Sequence, residues 1–438
     1  MPLLIVLLGI IILLVLVSKL RWNVFIALLI TSFILGLLNG MNLTDILASV
    51  LTGVGETMGK IVLIIVFGAM LGKLIEESGA AHTITYWFIS IFGEKRLPLA
   101  LMLTGFAIGL PMIYNASFLV LIPLVYTFAS TTKFPLIYLG IPLCATLSVA
   151  HGYLPPHPAP TAVAAMIHAN VNLTLLYGII IAIPAIALAG PFLASFYKKM
   201  IVQPPKELFT PREFKKEELP KIGISLFTVL IPIILMVTGA LYNLFVGTTG
   251  KLSGMFTFIS DPNFALFFAV MIGIYTLGTR RGKSMDKVMK SLTDSVGSVA
   301  LIVLIIAAGG AFKQVLIDSG VGKYIEFIAQ KIDASPLILA WGTAALLRLA
   351  LGSATVATIT AAGMILPLVT GTGVSPELVV LATGSGSLMF SHFNDTGFWM
   401  FKEYFNLSIK QTFMTWTVME CIVSLAGLLG VLTLNWIL

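Results

Sequence analysis

Charge is scarce in this chain: Asp, Glu, Lys and Arg make up 10% of its 438 residues, where a soluble domain carries about a quarter. That excludes an ordinary soluble globular protein. Cysteine is nearly absent, with only Cys144 and Cys421, both in apolar surroundings, so neither a disulfide framework nor a cysteine metal site is available. Histidine is rare too, at five residues, and no HExxH pair occurs; no metal and no cofactor are expected. The strands of an outer-membrane barrel need a period-2 alternation that is weak here. The net charge of +7 falls in short loops between apolar runs, which makes it an orientation signal and not a nucleic-acid surface.

What is present is apolar. Hydrophobic residues make up 58% of the chain, and runs such as Leu3–Val17 are long and unbroken, so the fold class is an all-α polytopic membrane protein embedded in the lipid bilayer. The first run lacks the preceding positive charge and small-residue cleavage site of a signal peptide and reads as a crossing. Lys19 and Arg21 then place its connection to Val24–Leu38 in the cytoplasm and the N-terminus outside. Ile61–Ile75 returns inward, Thr83–Ile91 lies at the interface, and Lys95 and Arg96 are inside.

Residues 97–129 are apolar but broken by Gly109, Pro111 and the polar run Tyr114-Asn115-Ala116-Ser117, the pattern of a re-entrant hairpin with a polar tip. The next span, Pro135–His168, is interrupted by His151–Thr161, where four prolines preclude a continuous helix because proline lacks the amide donor and clashes with the preceding turn. Broken backbone at membrane depth must be covered by protein or line a wet cavity. Leu173–Phe196 returns inside.

Residues 200–221, dense in charge and proline, form a cytoplasmic linker between a first half (1–199) and a second (222–438). The second half comprises Ile222–Phe245, Phe264–Leu277, Val299–Ile317, a hairpin over 336–369, a half-helix Leu378–Phe390 broken at Ser391–Gly397 and continued to Tyr404, and Thr412–Leu438. The expected tally is ten crossings and two hairpins.

The halves echo one another. Gly68–Gly79 (GAMLGKLIEESG) and Gly309–Gly320 (GGAFKQVLIDSG) share a Ser-Gly ending, and His151 precedes His392 by the same interval. Loop charges orient the halves oppositely, because each makes about five crossings. Inverted repeats with paired broken helices are the architecture of many secondary transporters, with the site where the breaks meet.

The motifs HGYLPPHPAPTA (from His151), GGAFKQVLIDSG (from Gly309), LGSATVATITAAG (from Leu351) and FSHFNDTGFWMFKEYFNL (from Phe390) resemble those of the gluconate permease family, along essentially the whole chain. The resemblance implies an inner-membrane proton symporter of gluconate or related small carboxylates, within the wider ion transporter superfamily, whose members are commonly dimers; a homodimer is therefore expected. The implied partners are a small anionic substrate and a proton. The chain departs from the pattern at Asn115, where many relatives carry an acid.

A sugar acid needs donors for its carboxylate and mixed groups for its hydroxyls. Asn115 and Ser117 on the first tip, and Ser353, Thr355 and Thr358 beside Gly352 on the second, supply them; small residues also serve close helix packing in membranes. His151, His157 and His392 either touch the substrate or fix the broken backbone, and His151 is also a proton candidate. Asn394 and Asp395 lie in the second break, where Asp395 either carries the proton or caps the following half-helix. Glu420, farther from the breaks along the chain, either relays the proton or makes an interhelical hydrogen bond. Arg348, near the mouth of the second hairpin, either attracts the carboxylate, pairs with a neighbour or snorkels to the interface. Three rival activities stand beside the symporter: a relative specific for another carboxylate such as a D-amino acid, an intramembrane hydrolase, and a passive channel.

Overall fold

In a computed structural model, residues 5, 8, 9, 11–13, 15–204, 216–247, 250, 252–320, 335–369, 372–392 and 395–438 are described. Part of the expected first span, residues 205–215 of the linker and Asn394 lie outside the described residues. The described chain is helical, with no strand among the described residues.

The first half contains α1 (Val24–Leu38), α2 (Leu43–Ser78), α3 (Ala80–Phe92), α4 (Leu97–Gly109), α5 (Tyr114–Thr131), α6 (Leu136–Tyr153), α7 (Pro158–Met166) and α8 (Val171–Ala187). The second contains α9 (Ile222–Phe245), α10 (Ser253–Ser260), α11 (Pro262–Gly273), α12 (Met285–Asp318), α13 (Pro336–Leu351), α14 (Ala354–Val369), α15 (Pro376–Gly386), α16 (Thr396–Tyr404) and α17 (Val418–Ile437). Among the described residues, eight helices are long and apolar enough to cross a membrane.

Two elements are longer than the apolar pattern predicts. The expected spans Ile61–Ile75 and Val299–Ile317 are the apolar parts of α2, with 36 residues, and α12, with 34. At 1.5 Å per residue each exceeds about 50 Å, well beyond a hydrocarbon core of about 30 Å. Hydropathy detects only the part in lipid, whereas the helices continue because they pack along one another. A Cβ on Gly53 would lie 2.3 Å from the Gly310 carbonyl oxygen, and one on Gly310 would lie 2.1 Å from Thr57 Oγ1. Only glycine permits that crossing distance. The short helix α10, absent from the sequence expectation, lies in the connection after α9.

The centre of the molecule is the broken pair α6–α7. Its apolar window is 89% buried, against at most 56% for any other candidate span; it is surrounded by protein, as a broken backbone in a membrane requires. Residues 154–157 interrupt it, with a cis Pro155–Pro156 bond. Residues 387–395 separate α15 from α16, residues 110–113 separate α4 from α5, and Gly352-Ser353 separates α13 from α14. The two broken pairs touch: a Cβ on Gly384 of α15 would lie 2.2 Å from the Gly152 carbonyl oxygen of α6.

Candidate functional site

Three helix N-termini open onto one cavity of about 220 Å³. Tyr114 and Asn115 begin α5, Ala354 and Thr355 begin α14, and Thr396 and Gly397 begin α16. The first turn of a helix has amides without intrahelical acceptors and carries partial positive charge, so three such ends facing one space favour an anion there. The sequence dictates these starts. Pro111 and the Ile113 position, with extended backbone, end the α4 run before α5; Gly352 closes α13 at a φ of 74°, which suits glycine; and Asp395 caps α16, its Oδ1 accepting from Gly397 N at 2.8 Å.

The charged groups of the site converge on the same cavity. Arg348, near the end of α13, is only 3% exposed. Its Nη2 donates to Asp395 Oδ2 in an ion pair and its Nη1 donates to the Gly352 carbonyl. Its Nε has no hydrogen-bond partner. Asp395 also accepts from Ser391 Oγ, and Ser391 in turn accepts from Trp416 Nε1 at 2.7 Å while its carbonyl accepts from Thr417 Oγ1 at 2.5 Å. The turn between α15 and α16 is thus tied both to α13 and to the segment leading into α17.

Glu420, on α17, is 1% exposed and accepts a hydrogen bond from Ser148 Oγ on α6. Both line the cavity. Along the chain Glu420 lies apart from the breaks; the packing of α17 against α6 brings it beside them. His151 lines the cavity as well, with Nδ1 unpartnered, and its ring meets Tyr114 edge-on at 6.2 Å and His157 at 5.5 Å. Ile302 and Ile305 of α12 and Trp416 supply apolar wall, which suits the carbon chain of a small organic acid.

The expected residues divide into two groups. Asn115, His151, Ser353, Thr355, Asp395 and Glu420 are brought together on the cavity. Ser117, His157, Gly352, Thr358 and His392 are not on its wall. Ser117 Oγ donates to the Met112 carbonyl at 3.3 Å and Thr358 Oγ1 to the Ala354 carbonyl at 2.8 Å, the local back-bonding typical of hydroxyls in apolar helices. His157 Nε2 lies 2.6 Å from the Gly109 carbonyl, and His392 Nε2 lies 3.0 Å from that of Leu349; each ring fastens a break to a neighbouring helix end. Asp395 is both an ion-pair partner and a cap. Ser148 and Trp416 also line the cavity, and one hydroxyl and one indole in apolar runs carry no local signal in the sequence.

Beyond Ile113, which borders both spaces, lies a second cavity of about 230 Å³ with Lys73, Glu76 and Asp294 on its wall. Lys73 pairs with Glu76 at 3.3 Å, and Lys283 of the α11–α12 connection pairs with Glu77 at 3.0 Å. Ile113 is the residue that the walls of the central cavity and of this charged cavity have in common.

Comparison with known proteins identifies the fold and the family. The chain covers 95% of the Neisseria gonorrhoeae MtrF structure, using 95% of its own length, with a TM-score of 0.70 at 15% identity. It covers 97% of the Alcanivorax borkumensis YdaH transporter, using 94% of its own length, at a TM-score of 0.63 and 16% identity. Both likenesses concern the fold. In sequence, the chain is 47% identical over 438 residues, the whole of both proteins, to the Gnt-II system L-idonate transporter of Escherichia coli (strain K12). It is 46% identical over the whole of both chains to a high-affinity gluconate transporter of that organism. It is 43% identical over 99% of each chain to the gluconate permease of Bacillus subtilis (strain 168). The model of the GntP family permease matches residues 1–437. These relatives are permeases and transporters, not enzymes, and nothing in them supports a hydrolase. The chain is a multi-pass membrane transporter and belongs to the GntP permease family.

Proposed function

We propose that the protein takes up gluconate, or a closely related small hydroxycarboxylate, across the bacterial inner membrane together with a proton, by alternating access. The observation that carries this reading is the convergence of three helix N-termini and the Arg348 guanidinium on one cavity of about 220 Å³. These groups suit a carboxylate. Asn115, Ser148, Ser353, Thr355 and Glu420 around the same space suit a chain of hydroxyls, which need acceptors as well as donors.

In this reading residues 1–199 and 222–438 are inverted repeats joined by the linker, the hairpins 97–129 and 336–369 and the broken pairs form a moving unit, and two copies assemble as a dimer. Ile113 is the inner barrier, and its displacement opens the central cavity to the vestibule at Lys73. The L-idonate transporter at 47% identity favours a second reading of the cargo, in which another aldonate is preferred.

Uptake of labelled gluconate into membrane vesicles tests the proposal. Saturable, concentrative uptake that collapses when the pH gradient is dissipated supports it; passive equilibration makes the protein a channel. Competition by unlabelled L-idonate and by a D-amino acid ranks the carboxylates.

A further inference from the structure

Arg348 is held from two sides and unoccupied on a third. Nη1 donates to the Gly352 carbonyl, Nη2 to a single oxygen of Asp395, and the buried Nε to nothing. The other Asp395 oxygen is committed to the Gly397 amide. This pair is also the most buried ion pair among the described residues; the others are one-fifth or more exposed on each side. It stands in the wall of the cavity, so the guanidinium is already matched by the Asp395 carboxylate before any anion enters.

We propose that Arg348 is the counter-ion shared between Asp395 and the carboxylate of the substrate, and that the proton entering with the substrate is carried on Asp395. The inference rests on the reading of the cavity as a hydroxycarboxylate site. A substrate carboxylate that bonds the unpartnered Nε edge places two carboxylates on one guanidinium. An excess charge in a protein interior is strongly unfavourable, and a proton on Asp395 restores the count. The balance closes: a carboxylate and a proton enter, Asp395 becomes a carboxylic acid, and Arg348 stays charged. On release the substrate leaves as an anion, Asp395 gives up the proton and re-forms its full ion pair.

Other titratable groups face this space: Glu420 from α17, His151 from α6 and Tyr114 from α5. Glu420 is satisfied by Ser148 and makes no ion pair with Arg348. His151 and Tyr114 make no hydrogen bond to Asp395. The assignment therefore falls on Asp395, the one carboxylate bonded to the guanidinium.

Asp395→Asn keeps a capping oxygen for the Gly397 amide and removes the competing charge. The variant is expected to retain gluconate counterflow exchange in proteoliposomes and to lose uptake driven by a pH gradient. Arg348→Gln is expected to lose both activities. Purified wild-type protein in weakly buffered detergent solution is expected to take up about one proton for each gluconate bound, as linkage requires. Persistent pH-driven uptake in Asp395→Asn, absence of exchange by that variant once it is in the membrane, or gluconate binding to the wild type without proton uptake each overturns the inference. Gluconate binding without proton uptake overturns it even where the variant does not accumulate. Failure of wild-type protein to bind gluconate overturns the functional reading itself, and this inference falls with it.

Discussion

Ser148 and Glu420 are separated by most of the chain and joined by a hydrogen bond between buried side chains on the wall of the central cavity. The bond ties α17 to the first broken pair. It also holds the Glu420 carboxyl group in place on the cavity wall, leaving it able to hydrogen-bond a substrate hydroxyl.

Removing that donor is expected to show in transport first. Ser148→Ala deletes one hydrogen bond to a buried acidic group, worth about 1–3 kcal/mol, and the KM for gluconate is expected to rise by roughly tenfold, about 1.4 kcal/mol. Glu420→Ala is expected to lose more than Glu420→Gln, which keeps an acceptor. Uptake kinetics normalised to membrane expression check both. Equal KM values in wild type and Ser148→Ala would contradict this role.

The three break histidines are expected to separate by function. His151 faces the cavity, so His151→Ala is expected to impair uptake while leaving thermal stability nearly unchanged. His157 and His392 bond backbone carbonyls away from the cavity. Their alanine variants are expected to lose about 1–3 kcal/mol of stability, read as a lower melting temperature of the purified protein. Reversal of that order would place the site elsewhere.

The difference among the histidines marks where the sequence stops being legible. The breaks at His151–Thr161 and Ser391–Gly397 were readable because proline and polar residues in apolar runs have local consequences. The Asp395 cap was readable because capping depends on residues two or three positions away. Arg348 was not placed, because its partner depends on α13 folding back against the turn before α16. Glu420 was set too far from the breaks because distance along one helix says nothing about the neighbouring helix it faces. Ser117 and Thr358 resemble binding hydroxyls in sequence, yet their donors are spent on their own helices.

The crossing of the two longest helices is expected to tolerate no side chain. Gly310→Leu would drive a Cβ to within 2.5 Å of the Gly53 carbonyl oxygen, and overpacking of this kind costs about 1–3 kcal/mol or more. Gly55→Leu, on the same helix as Gly53 and with nothing within 4 Å of the added Cβ, serves as the control. The expected result is loss of folded protein, by size-exclusion profile in detergent, for the first variant alone.

His168, in the connection between α7 and α8, is held below its ordinary value near 6.5 chiefly by the Lys60 ammonium, with burial and Lys313 acting in the same direction. A base whose affinity for protons is lowered by folding binds more of them when unfolded, so stability falls as pH drops below about 6.5. His168→Asn, which suits the positive φ of 58° at this position, is expected to lessen that fall. Melting temperatures of both proteins between neutral and mildly acidic pH test it; parallel curves would remove His168 as the cause.

The most direct test of the account is the position of gluconate in a substrate-bound structure. The account predicts its carboxylate on the Nε edge of Arg348, near the first turns of α14 and α16, with its hydroxyls toward Ser148, Glu420 and Asn115. Gluconate bound outside this cavity, or inside it with the carboxylate turned away from Arg348, would contradict the account.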